Sequence, residues 1–103
     1  MAEIDACGLD EIDEEDLLRF DHGGHSYAIY RITGDEVYCT DGLCTHEQVH
    51  LEDGLVMEHV IECPRHNGRF DIRTGKALGA PVCIDLATYP ARVVNGRVLV
   101  DLP

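Results

Sequence analysis

No apolar run in this 103-residue chain approaches the roughly 18 residues that a membrane-crossing helix needs. The start, Met1-Ala2-Glu3-Ile4-Asp5, is acidic. It lacks the basic head and apolar centre of a secretory signal. The chain is therefore expected in the cytoplasm, with no direct membrane insertion and with its thiols reduced. Positive charge is scarce: eight Lys and Arg stand against 20 Asp and Glu, a formal net charge of −12. Nucleic acid is thereby excluded as a partner, because a phosphate backbone must be met by Lys and Arg. An acidic surface suits rapid, short-lived docking onto basic partners. The sequence shows no repeat, no Walker loop, no G-x-G-x-x-G and no Ser-His-Asp set. It has too few residues to bind a flavin or nicotinamide of its own.

A sustained 3.6-residue period is also missing, so helix is not expected. What is present is a series of short β-rich runs cut by turn formers. Leu17–Phe20 and Ser26–Ile32 flank Gly23-Gly24, a two-residue hairpin signal. Thr33-Gly34-Asp35 leads into Val37–Thr40, and Thr74-Gly75-Lys76 marks another turn. Tyr89–Val94 and Arg97–Leu102 are joined by Asn95-Gly96, whose residues tolerate positive φ and so favour a tight hairpin. The acidic run Asp10–Asp16 reads as a solvated loop or one short helical turn. Turns at this spacing predict an all-β, antiparallel sandwich or barrel. The length fits one domain over 1–103.

Two segments carry chemistry: Cys44-Thr45-His46 and Cys63-Pro64-Arg65-His66. Each offers one thiolate and one imidazole, and each lies beside turn formers, Asp41-Gly42 and Asn67-Gly68. If their strands are neighbours, the loops can share one metal site. Two Cys and two His can hold a tetrahedral zinc. They also suit a [2Fe–2S] centre in which His replaces Cys on one iron. Zinc modules usually pair Cys with Cys and His with His; here the order is Cys-His, then Cys-His. The remaining cysteines, Cys7, Cys39 and Cys83, show no C-x-x-C spacing and read as small buried apolar residues.

The pattern C-x-H, sixteen residues, C-x-x-H resembles the signature of Rieske ferredoxins that serve bacterial oxygenases. The likeness runs through Cys44-Thr45-His46-Glu47, Cys63-Pro64-Arg65-His66-Asn67-Gly68-Arg69-Phe70-Asp71, Thr74-Gly75 and Gly79-Ala80-Pro81. Ferredoxins of rhizopine catabolism and of aromatic-ring dioxygenases are similar. The resemblance implies a Rieske-type antiparallel β-sandwich with a small cluster-binding subdomain at one tip. Its loops would lie near 44–50 and 63–71, with a Pro-containing loop over the cluster. It implies one [2Fe–2S] cluster, with Cys44 and Cys63 on the inner iron and His46 and His66 on the outer. The implied role is a soluble electron carrier, not an enzyme. It would pass single electrons from an NAD(P)H-dependent flavoprotein reductase to a terminal oxygenase, either a Rieske non-haem iron or a membrane di-iron enzyme.

High-potential members of the wider group carry one further cysteine in each loop and join them as a disulfide. The matching positions here are Val49 and Arg65. Those proteins also place Ser and Tyr hydroxyls against the cluster sulfurs, where this chain has Gly68 and Phe70. Donors to sulfur stabilise the reduced, more negative state, so a low potential is expected. Arg65 and Arg69 would offset cluster charge or meet a partner carboxylate. His22, His25, His50 and His59 read as surface or hydrogen-bonded side chains, and Asp71 as a turn cap. The rival readings are a non-redox subunit of the same fold, such as a nitrite reductase small subunit, and a zinc interaction module. Such subunits commonly lack the ligands, which are all present here.

Overall fold

The computed structural model describes residues 2–45, 48–65, 67–79 and 84–103. Ten strands run β1 (Ala2–Gly8), β2 (Asp16–His22), β3 (His25–Arg31), β4 (Val37–Asp41), β5 (Leu55–Met57), β6 (Val60–Glu62), β7 (Arg69–Asp71), β8 (Thr88–Tyr89), β9 (Ala91–Val94) and β10 (Arg97–Leu102). They form three antiparallel sheets ordered β1-β10-β9, β2-β3-β4-β8 and β5-β6-β7. The only helical segments among the described residues are short 3₁₀ turns at Leu9–Glu11 and Leu51–Asp53.

β3 organises the layers. Its residues alternate between two faces, as strand geometry requires. Tyr27 and Ile29 enter a core shared with Cys7, Ile12, Cys39, Val98, Val100 and Leu102. Ala28 and Tyr30, with Ile32 just beyond the strand, enter a second core with Cys44, Leu51, Ile61, Cys63 and Phe70. The central sheet is thus covered on both faces, which explains the unbroken buried run Tyr27–Tyr30. Tyr30 carries a hydroxyl into this interior and meets Thr40 Oγ1 at 2.9 Å. Thr40 in turn donates to the Asp41 carbonyl, so the buried polar pair is satisfied.

The hairpin signals correspond to real turns. His22 pairs with His25 across Gly23-Gly24, both at positive φ. Arg97 pairs with Val94 across Asn95-Gly96, also both at positive φ. The acidic run behaves as a solvated segment that opens in a 3₁₀ turn and buries only Ile12. One expected strand is corrected. The run Tyr89–Val94 is split at Pro90, and its halves belong to different sheets. Proline has no N–H for a ladder, so the chain changes sheet there. β1 was not legible because Glu3, Asp5 and two alanines have little strand preference. Pairing with the apolar β10 imposes it, aided by a bidentate Arg92–Glu3 contact with both bonds at 2.7 Å.

The small sheet is fastened to the rest at its β5–β6 turn. His59 Nε2 faces Glu36 Oε2, and since a carboxylate only accepts, that nitrogen carries the proton. Tyr38 Oη donates to the same oxygen at 2.7 Å, and the Glu58 N–H donates to Glu15 at 2.9 Å. The hydrogen bond from Tyr38, then that from His59, holds the Glu36 carboxyl below its ordinary value. A lowered folded value means stability that is present above the unfolded pKa, about 4.3, and lost as pH falls through the folded one. Glu36→Gln is therefore expected to lower the melting temperature at pH 7, with the gap to wild type closing below about pH 4. A gap independent of pH, measured by circular dichroism, would contradict the linkage.

Cys7 and Cys39 are buried to within 3% and 1% of full coverage. Burial pushes the Cys39 thiol up to about 12 and raises Cys7 as well. Because the thiolate is the reactive form, neither is expected to be alkylated by iodoacetamide in the native protein at pH 7.5. Both should become labelled on unfolding, as peptide mass spectrometry would show.

Candidate metal centre

Cys44 and Cys63 each open a loop of the same form. The Cys44 N–H donates to the Val49 carbonyl at 2.8 Å, and the Cys63 N–H donates to the Gly68 carbonyl at 2.6 Å. In both cases the hydrogen bond spans five residues and closes the mouth of the loop. The first loop follows β4 and is extended by a Leu43–His50 bridge and by Leu51 N–H to the Gly42 carbonyl. The second is the β6–β7 connection, held in register by Glu62 opposite Arg69. Asn67 and Gln48 sit at positive φ inside these loops. Asn adopts that conformation with less penalty than most residues.

What brings the loops together is a close approach of backbones. Leu51 is fully buried, and the turn it begins ends at Gly54. A Cβ on Gly54 would collide with the carbonyl oxygen of Glu62, the residue before Cys63. Only glycine lets the exit of the first loop lie on the entry to the second. Cys44 and Cys63 then share one core with Leu51, Ile61 and Phe70 at 0% and 1% exposure respectively. Neither is half of a disulfide.

A third segment borders them. After β7 the chain turns at Thr74-Gly75 and runs back along β7, with Phe70 bridged to Ala77 and the Leu78 N–H on the Arg69 carbonyl. Gly75 has φ +77, and a Cβ there would strike the Leu86 carbonyl. Asp85 accepts from the Ala77 N–H at 2.9 Å, pinning the base of the segment between them. Thr45 Oγ1 donates to the Ile84 carbonyl at 2.7 Å. This links the residue between Cys44 and His46 to the far end of the third segment. Sequence reasoning did not single out Thr45, Gly54 or Asp85. Only the recurrence of Gly at loop ends hinted at the packing.

His46, His66, Ala80, Pro81 and Cys83 lie outside the described residues, so the structure describes the sulfur half of the expected ligand set. Among the described residues no group of three metal-ligating side chains converges. The donors that are described fit an iron–sulfur centre. Two thiols, buried in one apolar core at the mouths of matched loops, offer soft ligands shielded from water. Val49 packs against that core and Arg65 is exposed; neither side chain contains sulfur, so no disulfide joins the loops at these positions. Gly68 is buried and Phe70 is wholly buried; neither presents a hydroxyl.

The histidines outside the motif are engaged elsewhere. His25 meets Asp41 at 2.7 Å, His59 meets Glu36, and His50 lies 3.5 Å from Ser26 Oγ. His22 stacks on Phe20. Asp71 caps its turn as expected, accepting from the Arg73 N–H at 2.8 Å. The guanidinium of Arg73, through its hydrogen bond, holds the Asp71 carboxyl below the usual range. Arg69 is paired with Glu62 at 2.9 Å.

Comparison with known proteins agrees with this geometry. Residues 2–90 match the family model of the Rieske [2Fe-2S] domain. The chain is 46% identical over 99 residues to the ferredoxin component of the naphthalene 1,2-dioxygenase system of Pseudomonas putida, covering 96% of this chain and 94% of that one. Among solved structures, a ferredoxin of Sphingomonas yanoikuyae B1 superposes with a TM-score of 0.91 at 35% identity, over 99% of this chain and 100% of that one. A ferredoxin chain in a complex of reduced oxygenase and oxidized ferredoxin in carbazole 1,9a-dioxygenase gives 0.88 at 31% identity, over 95% and 91%. Paired thiols in matched loops, an antiparallel three-sheet fold and near-full-length similarity converge: the chain belongs to the Rieske [2Fe–2S] domain family, carries one such cluster, and is an electron-carrying ferredoxin, not an enzyme.

Proposed function

We propose that this ferredoxin passes single electrons from an NAD(P)H-dependent flavoprotein reductase to a terminal oxygenase acting on an aromatic compound. Cys44 and Cys63 bind the inner iron and His46 and His66 the outer. The observation that carries the ligand assignment is the matched closure of the two cysteine loops around one core. The relatives support the role, being ferredoxin components of naphthalene and 2,4-dinitrotoluene dioxygenase systems. They favour a ring-hydroxylating Rieske oxygenase over a membrane di-iron enzyme. The whole chain, 1–103, acts as one domain in the cytoplasm. Among the described residues no helix is long and apolar enough to cross a membrane.

When bound, the cluster supplies a reversible one-electron couple. The protein's part is to hold, exclude and tune. The thiols of Cys44 and Cys63 face an interior closed by Leu51, Ile61 and Phe70, which keeps water from the sulfur side. Thr45 ties the first loop to the third segment. Gly68 and Phe70 carry no hydroxyl to donate to a cluster sulfur, which favours the oxidised state.

Purified protein is expected to contain iron and acid-labile sulfide in about equal amounts. Stoichiometric zinc without sulfide would overturn the ligand assignment. His66→Ala should lose the cluster or hold it poorly. His59→Ala removes the contacts to Glu36 and to the Tyr38 ring, not to the cysteine loops, and should keep it, as visible absorption would show. Voltammetry is expected to give a potential toward the low end of the Rieske range, on the order of −150 mV. Gly68→Ser with Phe70→Tyr should raise it; a native value above about +100 mV would contradict the hydrogen-bond argument.

A further inference from the structure

The charge of this protein is unevenly placed. Four of its eight cations, but only one of its 20 acidic residues, fall between Cys63 and Gly79. That stretch comprises the second cysteine loop, β7 and the return along β7. The small sheet buries Ile61 and Phe70 on its inner side. Its outer side shows Glu62 opposite Arg69, with Leu78 beyond, and Val60 opposite Asp71, with Lys76 beyond. Both acids there are only 20% exposed and are covered by arginines that stay more than half exposed, Arg69 over Glu62 and Arg73 over Asp71. Lys76 and Arg65 are exposed as well, and Leu78 is 47% exposed.

We propose that this outer face of the small sheet is a locally cationic exit surface for the electron, fitted to the carboxylate-bearing rim of a protein acceptor. The inference rests on the ligand assignment above, which puts the cluster at the loop Arg65 belongs to. It reverses what the net charge of −12 implies for the body of the molecule. Range decides which sign a partner meets. The molecule is 39 Å long, whereas charge is screened within about 10 Å at 0.1 M salt. A docked acceptor at this face therefore responds most to Arg65, Arg69, Arg73 and Lys76, and less to the acids of β1, which belongs to another sheet. The exposed Leu78 supplies an apolar contact amid the charged rim, the usual composition of such interfaces.

The field at the exit face is read with small acceptors of opposite charge. One electron leaves the reduced holoprotein and takes the acceptor metal from the trivalent to the divalent state; no bond forms or breaks. The probes are anionic iron(III)–EDTA and cationic hexaammineruthenium(III), in stopped flow at 0.1 M salt. Arg65→Gln with Lys76→Gln is compared with Arg92→Gln with Arg97→Gln. The latter removes the same two charges from β9 and β10. The first pair is expected to slow oxidation by the anion roughly threefold or more, without slowing the cation, while the second pair leaves both rates within about 1.5-fold of wild type. Equal effects of the two pairs, or none from either, would overturn the cationic exit face and leave the ligand assignment standing. A preparation without iron and sulfide would instead overturn the ligand assignment and this inference together.

Discussion

The cysteine pair depends on a single close approach, that of Gly54 to the carbonyl of Glu62. Soft ligands must be held side by side in a place water does not enter, yet they come from loops in different parts of the chain. A side chain at position 54 would hold those loops apart. With none there, Leu51 fills the space beneath them and Ile61 and Phe70 close it from the small sheet. Hydrogen bonds at the mouth of each loop then fix where each sulfur begins. Order is thus imposed from the backbone outward, and little of it is left to side-chain choice.

The family was legible because the C-x-H and C-x-x-H spacings are distinctive even among five cysteines and six histidines. The Asn-Gly and Gly-Gly pairs announce their turns. Other features hid for physical reasons. β5, β6 and β7 are three residues each, too short for an alternating pattern to show. β1 is a strand only because β10 lies beside it. Pro90 looked like part of one strand but marks a passage between sheets. Thr45 reads as an ordinary loop residue until its partner, 39 positions away, is known. Long-range backbone contacts leave no local trace, and these are what assemble the site.

Charge carries a similar lesson about scale. The net value of −12 weighs against a nucleic-acid partner, because a long phosphate backbone meets the whole surface. It says less about a patch a few residues wide. Pairing within the small sheet, with Arg69 on Glu62 and Arg73 on Asp71, covers the acids and leaves cations outermost. The sign that a partner meets is set by cross-strand register as much as by composition.

β3 belongs to two interiors at once, with Tyr27 and Ile29 on one side and Ala28 and Tyr30 on the other. Neither core can open without disturbing the strand that also lines the other. Amide hydrogens of β3 should therefore exchange only through the global opening of the molecule, as one cooperative unit. Cys44 and Cys63 pack in the core that Tyr30 shares, so separating the two cysteines from their surroundings means opening the interior that β3 also lines.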